Sequence, residues 1–510
     1  GQIDVGELVV EPTVLTAPEV TSYESADLFH PLELAIDEIF AVGHGCRVDL
    51  SERGLLGSTT EDSMVLPGEV GAEPWAGGSH GGLGWFGSPG GGWNHEDLNQ
   101  PGSVYDSLRD PYLPGGGGGS PSNTVAGGTG GGVVRLDADG ATVRLVGDVL
   151  AGGGSGHAGG GAGGAIRLVA GSLEGSGRID AVGGPGSHWY RSGGGGGGRV
   201  SIAYRELGPE VDLAAQINVA GSHNHASDPT AAVRRGGAGT IYLEQLDPIT
   251  GASGGVGRLV VANLSGLPAA FTPLPALDDG AVFSVDPIAA TVTLDVNRVT
   301  GDLTGDRLVL EQATGAPVGG SPGGGIPITA QERLGPTEGF RIRLTVAATA
   351  AELEAVAALL DAGTPVVFHG RGRLSHIEAK GTAFFIAADD LELGPADDPA
   401  PVLNDRSRLY FDGEARGLLR GNGPLFTITA TPPESSDVRV GSTIELAWVL
   451  NDPVGLSAAG EHWSLDAEPT VHTITDEPLE VTSGDEPLLL AIPVDALPGP
   501  VSYTLDAGDV

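Results

Sequence analysis

Gly159-Gly160-Gly161-Ala162-Gly163-Gly164-Ala165-Ile166-Arg167-Leu168 joins a glycine tract to a short phrase in which apolar and polar residues alternate. The alternation sets Ile166 and Leu168 on one side and Arg167 on the other, the two-residue period of a strand. The same phrase recurs after glycine tracts as Val134-Arg135-Leu136, Val200-Ser201-Ile202 and Ile241-Tyr242-Leu243, and the leading residues are 32, 34 and 41 positions apart. A second phrase follows each, in Val149 to Gly153, Ile179 to Gly184, Ile217 to Gly221 and Leu259 to Asn263. One supersecondary unit repeated with loops of variable length predicts a solenoid. A middle phrase (Val143, Leu145; Leu173; Val211, Leu213) brings the first three repeats to three strands per turn, a parallel β-helix of triangular section.

Working outward, Leu32 to Phe40 and Cys46 to Leu50 alternate in the same way, so the solenoid is expected over residues 31–265. Ile3-Asp4-Val5 echoes half a rung and is followed by Leu8-Val9-Val10. Residues 1–30 are thus either an N-terminal extension that donates a strand to a neighbouring molecule, with Ile3, Val5, Val9 and Val10 at the interface, or the first rung of the chain's own solenoid. The tracts Gly115–Gly119, Gly159–Gly164 and Gly193–Gly198 are either flexible linkers or ordered segments packed backbone to backbone where a Cβ would collide. Their recurrence next to each strand start favours order.

From about Leu267 glycine thins and proline rises. Strand patterns at Val282–Val285, Thr291–Val296, Arg307–Leu310, Arg341–Val346 and Val366–Phe368 accompany one helix, which is marked by a Thr349/Glu352 capping box, the apolar face Leu353, Val356, Ala357, Leu360, and the stop Gly363/Pro365. Residues 266–425 therefore read as a β-rich domain with one helix. Residues 426–510 alternate at Ile444-Leu446-Trp448-Leu450, Leu488-Leu490-Ile492 and Val501-Tyr503-Leu505, an immunoglobulin-like sandwich without the disulfide. The fold class expected is all-β.

The formal net charge of −40 in 510 residues excludes nucleic acid and anionic membranes as partners, since both would repel the chain. No apolar run is long enough for a membrane-spanning helix. Lys380 is the only lysine, and the lone Cys46 excludes an internal disulfide framework; burial as a small apolar side chain is its expected state.

The glycine-rich half resembles glycine-rich β-solenoid modules of large bacterial secreted or surface proteins. The resemblance rests on Arg47 to Gly57, Gly78-Ser79-His80-Gly81-Gly82-Leu83-Gly84, Pro111 to Gly119 and the G-G-A-I-R-L and G-G-G-R-V-S-I rungs. It covers about half the chain and implies an extracellular structural or adhesive role, with no catalytic residues to carry over.

Chemistry is thinly signalled. Asp137 and Asp139 before Gly140 look like the start of a calcium loop, though the EF-hand glutamate is missing and a solvated turn is the plainer account. No other cofactor is indicated. His223 and His225 alternate like a metal pair but sit in a polar insertion, and His157 and His188 flank glycine tracts. Asp180 and Asp212 are candidate acids for glycoside hydrolysis, yet no spacing selects a pair, and neither H-E-x-x-H nor a Walker loop is present. Trp75, Trp85, Trp93, Trp189 and Tyr190, with Tyr105 and Tyr112, cluster in the glycine-rich insertions, where they either stack on sugars or fill an interface. The reading is a non-enzymatic extracellular or cell-surface structural protein that assembles head to tail as a homopolymer. The alternatives are an adhesin for surface polysaccharide and, third, a polysaccharide-acting enzyme.

Overall fold

The computed structural model describes residues 3–10, 14–20, 29–57, 72–87, 99–122, 125–187, 192–223, 235–253, 257–263, 269–277, 280–296, 299–312, 318, 325–334, 341–374, 376–380 and 383–386, and, as backbone strands only, parts of 390–506. With 44 % strand and 6 % helix, the protein is all-β.

The glycine-rich half is built from β1 (Ile3–Val10), β2 (Val14–Leu15), β3 (Leu32–Val42), β4 (Arg47–Asp49), β5 (Val133–Leu145), β6 (Asp148–Leu150), β7 (Ala165–Glu174), β8 (Ile179–Asp180), β9 (Arg199–Leu207), α1 (Leu213–Gln216), β10 (Ile217–Asn218), β11 (Thr240–Gln245) and β12 (Arg258–Ala262). Odd-numbered strands β1 to β11 lie side by side in one sheet, and even-numbered strands β2 to β10 in a second. Every neighbouring pair in these two series is parallel. Each circuit of the chain therefore adds one strand to each sheet. Register stacks like on like: Leu32, Val134, Ile166, Val200 and Ile241 form one row, and Leu34, Leu136, Leu168, Ile202 and Leu243 the next. Facing them, Val48, Val149, Ile179 and Ile217 align across the second sheet. These rows are the core, and full burial of one such side chain contributes about 1.5–3 kcal/mol. Cys46 is buried within it.

Three features differ from the sequence reading, and a fourth decides between its two readings of the N-terminal segment. The middle phrase is not a third strand: Val143 and Leu145 continue β5, and Leu173 continues β7, past a register shift between Ala138 and Thr142 where Gly140 has φ +85°. In the next circuit Val211 lies in a turn and Leu213 opens the four-residue α1. Leu259 to Ala262 is not a further rung either, because β12 runs antiparallel to β11 and then pairs with His376–Lys380. The 12-residue excursion between β11 and β12 folds back through a turn at Asp247, whose carboxylate accepts from the Ile249 and Thr250 amides. Finally, Ile3–Val10 pairs with β3 and Val14–Leu15 with β4, so this segment is seated as the chain's own first rung.

In the returns that follow β4, β6, β8 and β10, the third side of the circuit is rich in glycine. Tract 159–164 has six neighbours, and its hydrogen bonds repeat every three residues. The amides of Gly159 and Ala162 donate to Gly119 and Gly116, those of Gly160 and Gly163 to Gly193 and Gly196, and those of Gly161 and Gly164 to Gly154 and Ala151. Its carbonyls accept from Gly128 and Gly131, from Gly78, and from Gly184. A strand repeats every two residues and a polyproline-II helix every three, with no internal hydrogen bonds, so the tracts form a bundle of extended three-fold helices. Glycine is needed here for want of a Cβ rather than for unusual torsions. An added Cβ at Gly161 would stand 2.1 Å from the Thr129 carbonyl oxygen, and one at Gly195 2.0 Å from that of Gly161.

Beyond the bundle the predicted strands are present at 280–286, 291–296, 307–312, 341–346 and 366–374, together with an unpredicted one at 326–333. Helix α2 (Ala350–Asp361) begins at the Thr349/Glu352 capping box and buries Leu353 and Val356 against these strands. Further on, Phe426–Thr431, Thr443–Leu450 and Gly499–Asp506 pair antiparallel in series. The side chains of Trp448 and Tyr503 lie outside the described residues.

Candidate functional site

Three places in the glycine-rich half bear on function: where the tracts meet the strands, the opposite end of the bundle, and the outer edge of β1.

At the first, side chains complete the backbone lattice. The Nδ1 of His80 lies 2.9 Å from the Gly163 carbonyl oxygen, the position a neighbouring amide fills elsewhere in the tract, and its Nε2 lies 3.1 Å from Asp106 Oδ2. Asp106, held at φ +77°, also accepts from the amides of Ser107, Tyr112 and Leu113. Arg199 begins β9 wholly buried, with Nε donating to the Tyr105 carbonyl and Nη1 to Thr240 Oγ1. Burial pushes its pKa down to about 10, against the favourable charge of Asp106.

The segment from Tyr105 to Pro114 then runs across the outward residues of successive strands. Arg135 of β5 and Arg167 of β7 both reach Asp110, Arg135 also donates to the Pro111 carbonyl, and Ser201 of β9 donates to the Arg109 carbonyl. Arg109 pairs with Asp306 and lies over the ring of Tyr242 in β11. Burial raises the Tyr242 hydroxyl to about 12. The segment clasps four strands together, with Asp110 and Tyr112 on its exposed side.

The residues singled out from sequence fall as follows. Asp139 accepts from both Nε and Nη2 of Arg205, so its carboxylate is committed to an ion pair, and Asp137 is exposed beside it on β5. Among the described residues, no three His, Cys, Asp or Glu side chains converge as a metal would require. Asp180 pairs with Arg178, and Asp212 caps α1 by accepting from Ala214 and Ala215. His157 and His223 are exposed. Trp93, His188, Trp189, Tyr190 and His225 lie outside the described residues. Trp75 is buried and Trp85 half-buried, and their backbones flank Gly193 at the bundle end remote from the strands.

Sequence reasoning passed over His80 and Ser79. Gly77-Gly78-Ser79-His80-Gly81 has the spacing of a nucleophile elbow, but Ser79 is buried, its Oγ accepts from the Gly84 amide, and no helix follows. The available signal for His80 was a lone histidine in a glycine tract whose other side chains are only those of Ser79 and Leu83. Along β1, Ile3 and Val9 are 50 % and 44 % exposed, Val14 of β2 is 46 % exposed, Val5 is half-buried and Val10 is buried. Comparison with protein-family models, curated proteins and solved structures found no match.

Proposed function

We propose that this is an extracellular structural protein: a glycine-rich β-solenoid followed by the β-rich domain with one helix and an immunoglobulin-like sandwich, whose copies associate through the N-terminal edge. The observation that carries this reading is the β1 edge. Among the described strands it is paired on one side only, with β3, and Ile3 and Val9 on it, like Val14 of β2, are exposed. An unprotected strand edge with exposed apolar side chains is a template for a further strand. Its acidic residues, such as Glu7, are those of a chain whose charge keeps it soluble until edges meet.

The head-to-tail form needs an acceptor at the opposite end. The first sheet offers none there, because β12 reverses direction and is covered in turn; among the described strands the second sheet ends at β10. Filaments would use β10 as acceptor, whereas edge-to-edge dimers would need β1 alone. Electron microscopy and sedimentation velocity of the full chain test the reading. Filaments or dimers that Ile3→Lys with Val9→Lys abolishes, with the melting temperature kept, support it. A wild-type protein that stays monomeric at high concentration and physiological salt overturns it.

A further inference from the structure

We propose that Arg235 and His223 form a binding site for an oxyanion group, a sulfate, phosphate or carboxylate, at the end of the glycine bundle remote from the sheets. The two residues are direct partners in an antiparallel bridge, so their side chains leave the same side of the ribbon. Arg235 is 5 % exposed, and its Nε and Nη1 are buried with no hydrogen-bond partner among the described residues. Its backbone is fixed, with the carbonyl accepting from the Ala270 amide and the next residue, Gly236, donating to Ser222. His223 is exposed.

Arg235 is anomalous in this chain. Acids outnumber bases by 66 to 26, and described arginines such as Arg144 with Glu174 and Arg205 with Asp139 have a carboxylate in reach. Even Arg199, fully buried, feels the charge of Asp106, while burial alone acts on Arg235. A buried guanidinium without a counter-charge is expensive to keep, and an oxyanion that offers two oxygens side by side is the ligand its fork of donors matches. A net charge of −40 repels anions in general, so binding here demands local chemistry.

A saccharide bearing the anionic group is one source of such a ligand and the free inorganic anion is the other. The neighbouring chain bears on the first: Leu83 accepts from the Gly237 amide, and Trp85, two residues on and half-buried, provides a ring at the same bundle end.

The test titrates sodium sulfate into the full chain at constant ionic strength, balanced with sodium chloride, and follows the melting temperature. A saturable rise is expected for the wild type. Loss of one charge-assisted contact should move the response to about tenfold higher sulfate or more in Arg235→Gln. His223→Asn should weaken the response, read as the rise above that variant's own anion-free melting temperature. A wild-type response that is absent, or that both variants reproduce, overturns the proposal. A sulfated oligosaccharide that saturates at about tenfold lower concentration than inorganic sulfate identifies the saccharide as the source, and equal saturation identifies the free anion.

Discussion

Gly161→Ala and Gly152→Ala are the same chemical change in the same bundle, and they should move stability in opposite directions. At Gly161 the added Cβ would stand 2.1 Å from the Thr129 oxygen and 2.5 Å from its carbonyl carbon. Contact is ordinary only from 3.4 Å, so the two tracts must part by about 1.3 Å, further than a hydrogen bond tolerates. The bonds from Gly161 to Gly154, from Gly184 to Gly161 and from Gly131 to Ala162 lie within one turn of that displacement. Leaving two buried backbone groups unsatisfied costs about 3–5 kcal/mol. In a domain of this size that lowers the melting temperature by roughly 10 °C. At Gly152 the nearest atoms to an added Cβ are Ser51 Oγ at 3.5 Å and Val182 Cγ2 at 3.6 Å, and no left-handed φ is required. Restricting the unfolded chain should then stabilise by about 0.4–1 kcal/mol. Calorimetry or far-ultraviolet circular dichroism of the two variants reads both signs. Equal, small shifts would refute backbone-to-backbone packing and make the tracts simple linkers.

Asp180 provides a pH-dependent case: burial raises its pKa, only partly opposed by Arg178, so its contribution to stability is present below the unfolded value of about 3.9 and lost as pH rises through the raised folded value. Asp180→Asn should therefore melt higher than wild type at neutral pH, with the gain closing below about pH 4; a constant difference across that range contradicts the assignment. Asp306→Asn leaves Arg109 buried beside Tyr242 without its partner and should destabilise by about 3–5 kcal/mol in denaturant titration, whereas a change under 1 kcal/mol would mean that the clasp is not anchored there. Thr349→Ala removes the N-cap of α2 and should cost about 1 kcal/mol, restored by Thr349→Ser.

Much of the fold was legible because its signal is local. Alternation identified β3, β5, β7, β9 and β11, and the capping box with the Gly363 stop located α2. What the sequence hid was direction and period. Leu259-Val260-Val261 reads as another rung because a strand's alternation is the same whichever way it runs, and only the antiparallel pairing with β11 reveals the reversal. Val143 and Leu145 read as a separate strand because Gly140 interrupts the pattern, although the bulge at that glycine lets one strand continue. Glycine itself carries no pattern at all: nothing in Gly193–Gly198 tells a two-residue period from a three-residue one, which is set by where the partners lie. The polar sites were less legible still, since Arg235 and His80 are defined by what their neighbours supply or fail to supply.

The bundle and the sheets also answer a common energetic problem. Glycine loses more backbone freedom on folding than any other residue, and ordering costs about 1–2 kcal/mol per residue, while a net backbone hydrogen bond contributes only about 0.5–1.5 kcal/mol. Tract 159–164 buries no side chain beyond Ala162, so its hydrogen bonds roughly cancel its entropy and leave little surplus. The surplus must come from the apolar rows of the two sheets, to which tracts 159–164 and 193–198 are joined without a break, at β7 and β9. Ordering those strands fixes one end of these tracts, which removes much of the entropy that a free tract would lose on docking. The clasp from Tyr105 to Pro114 then acts at the junction: Arg135, Arg167 and Ser201 hold the strand starts in register, and the tracts that feed them inherit that register. A bundle with no side chains of its own to specify alignment thus takes its alignment from the sheets.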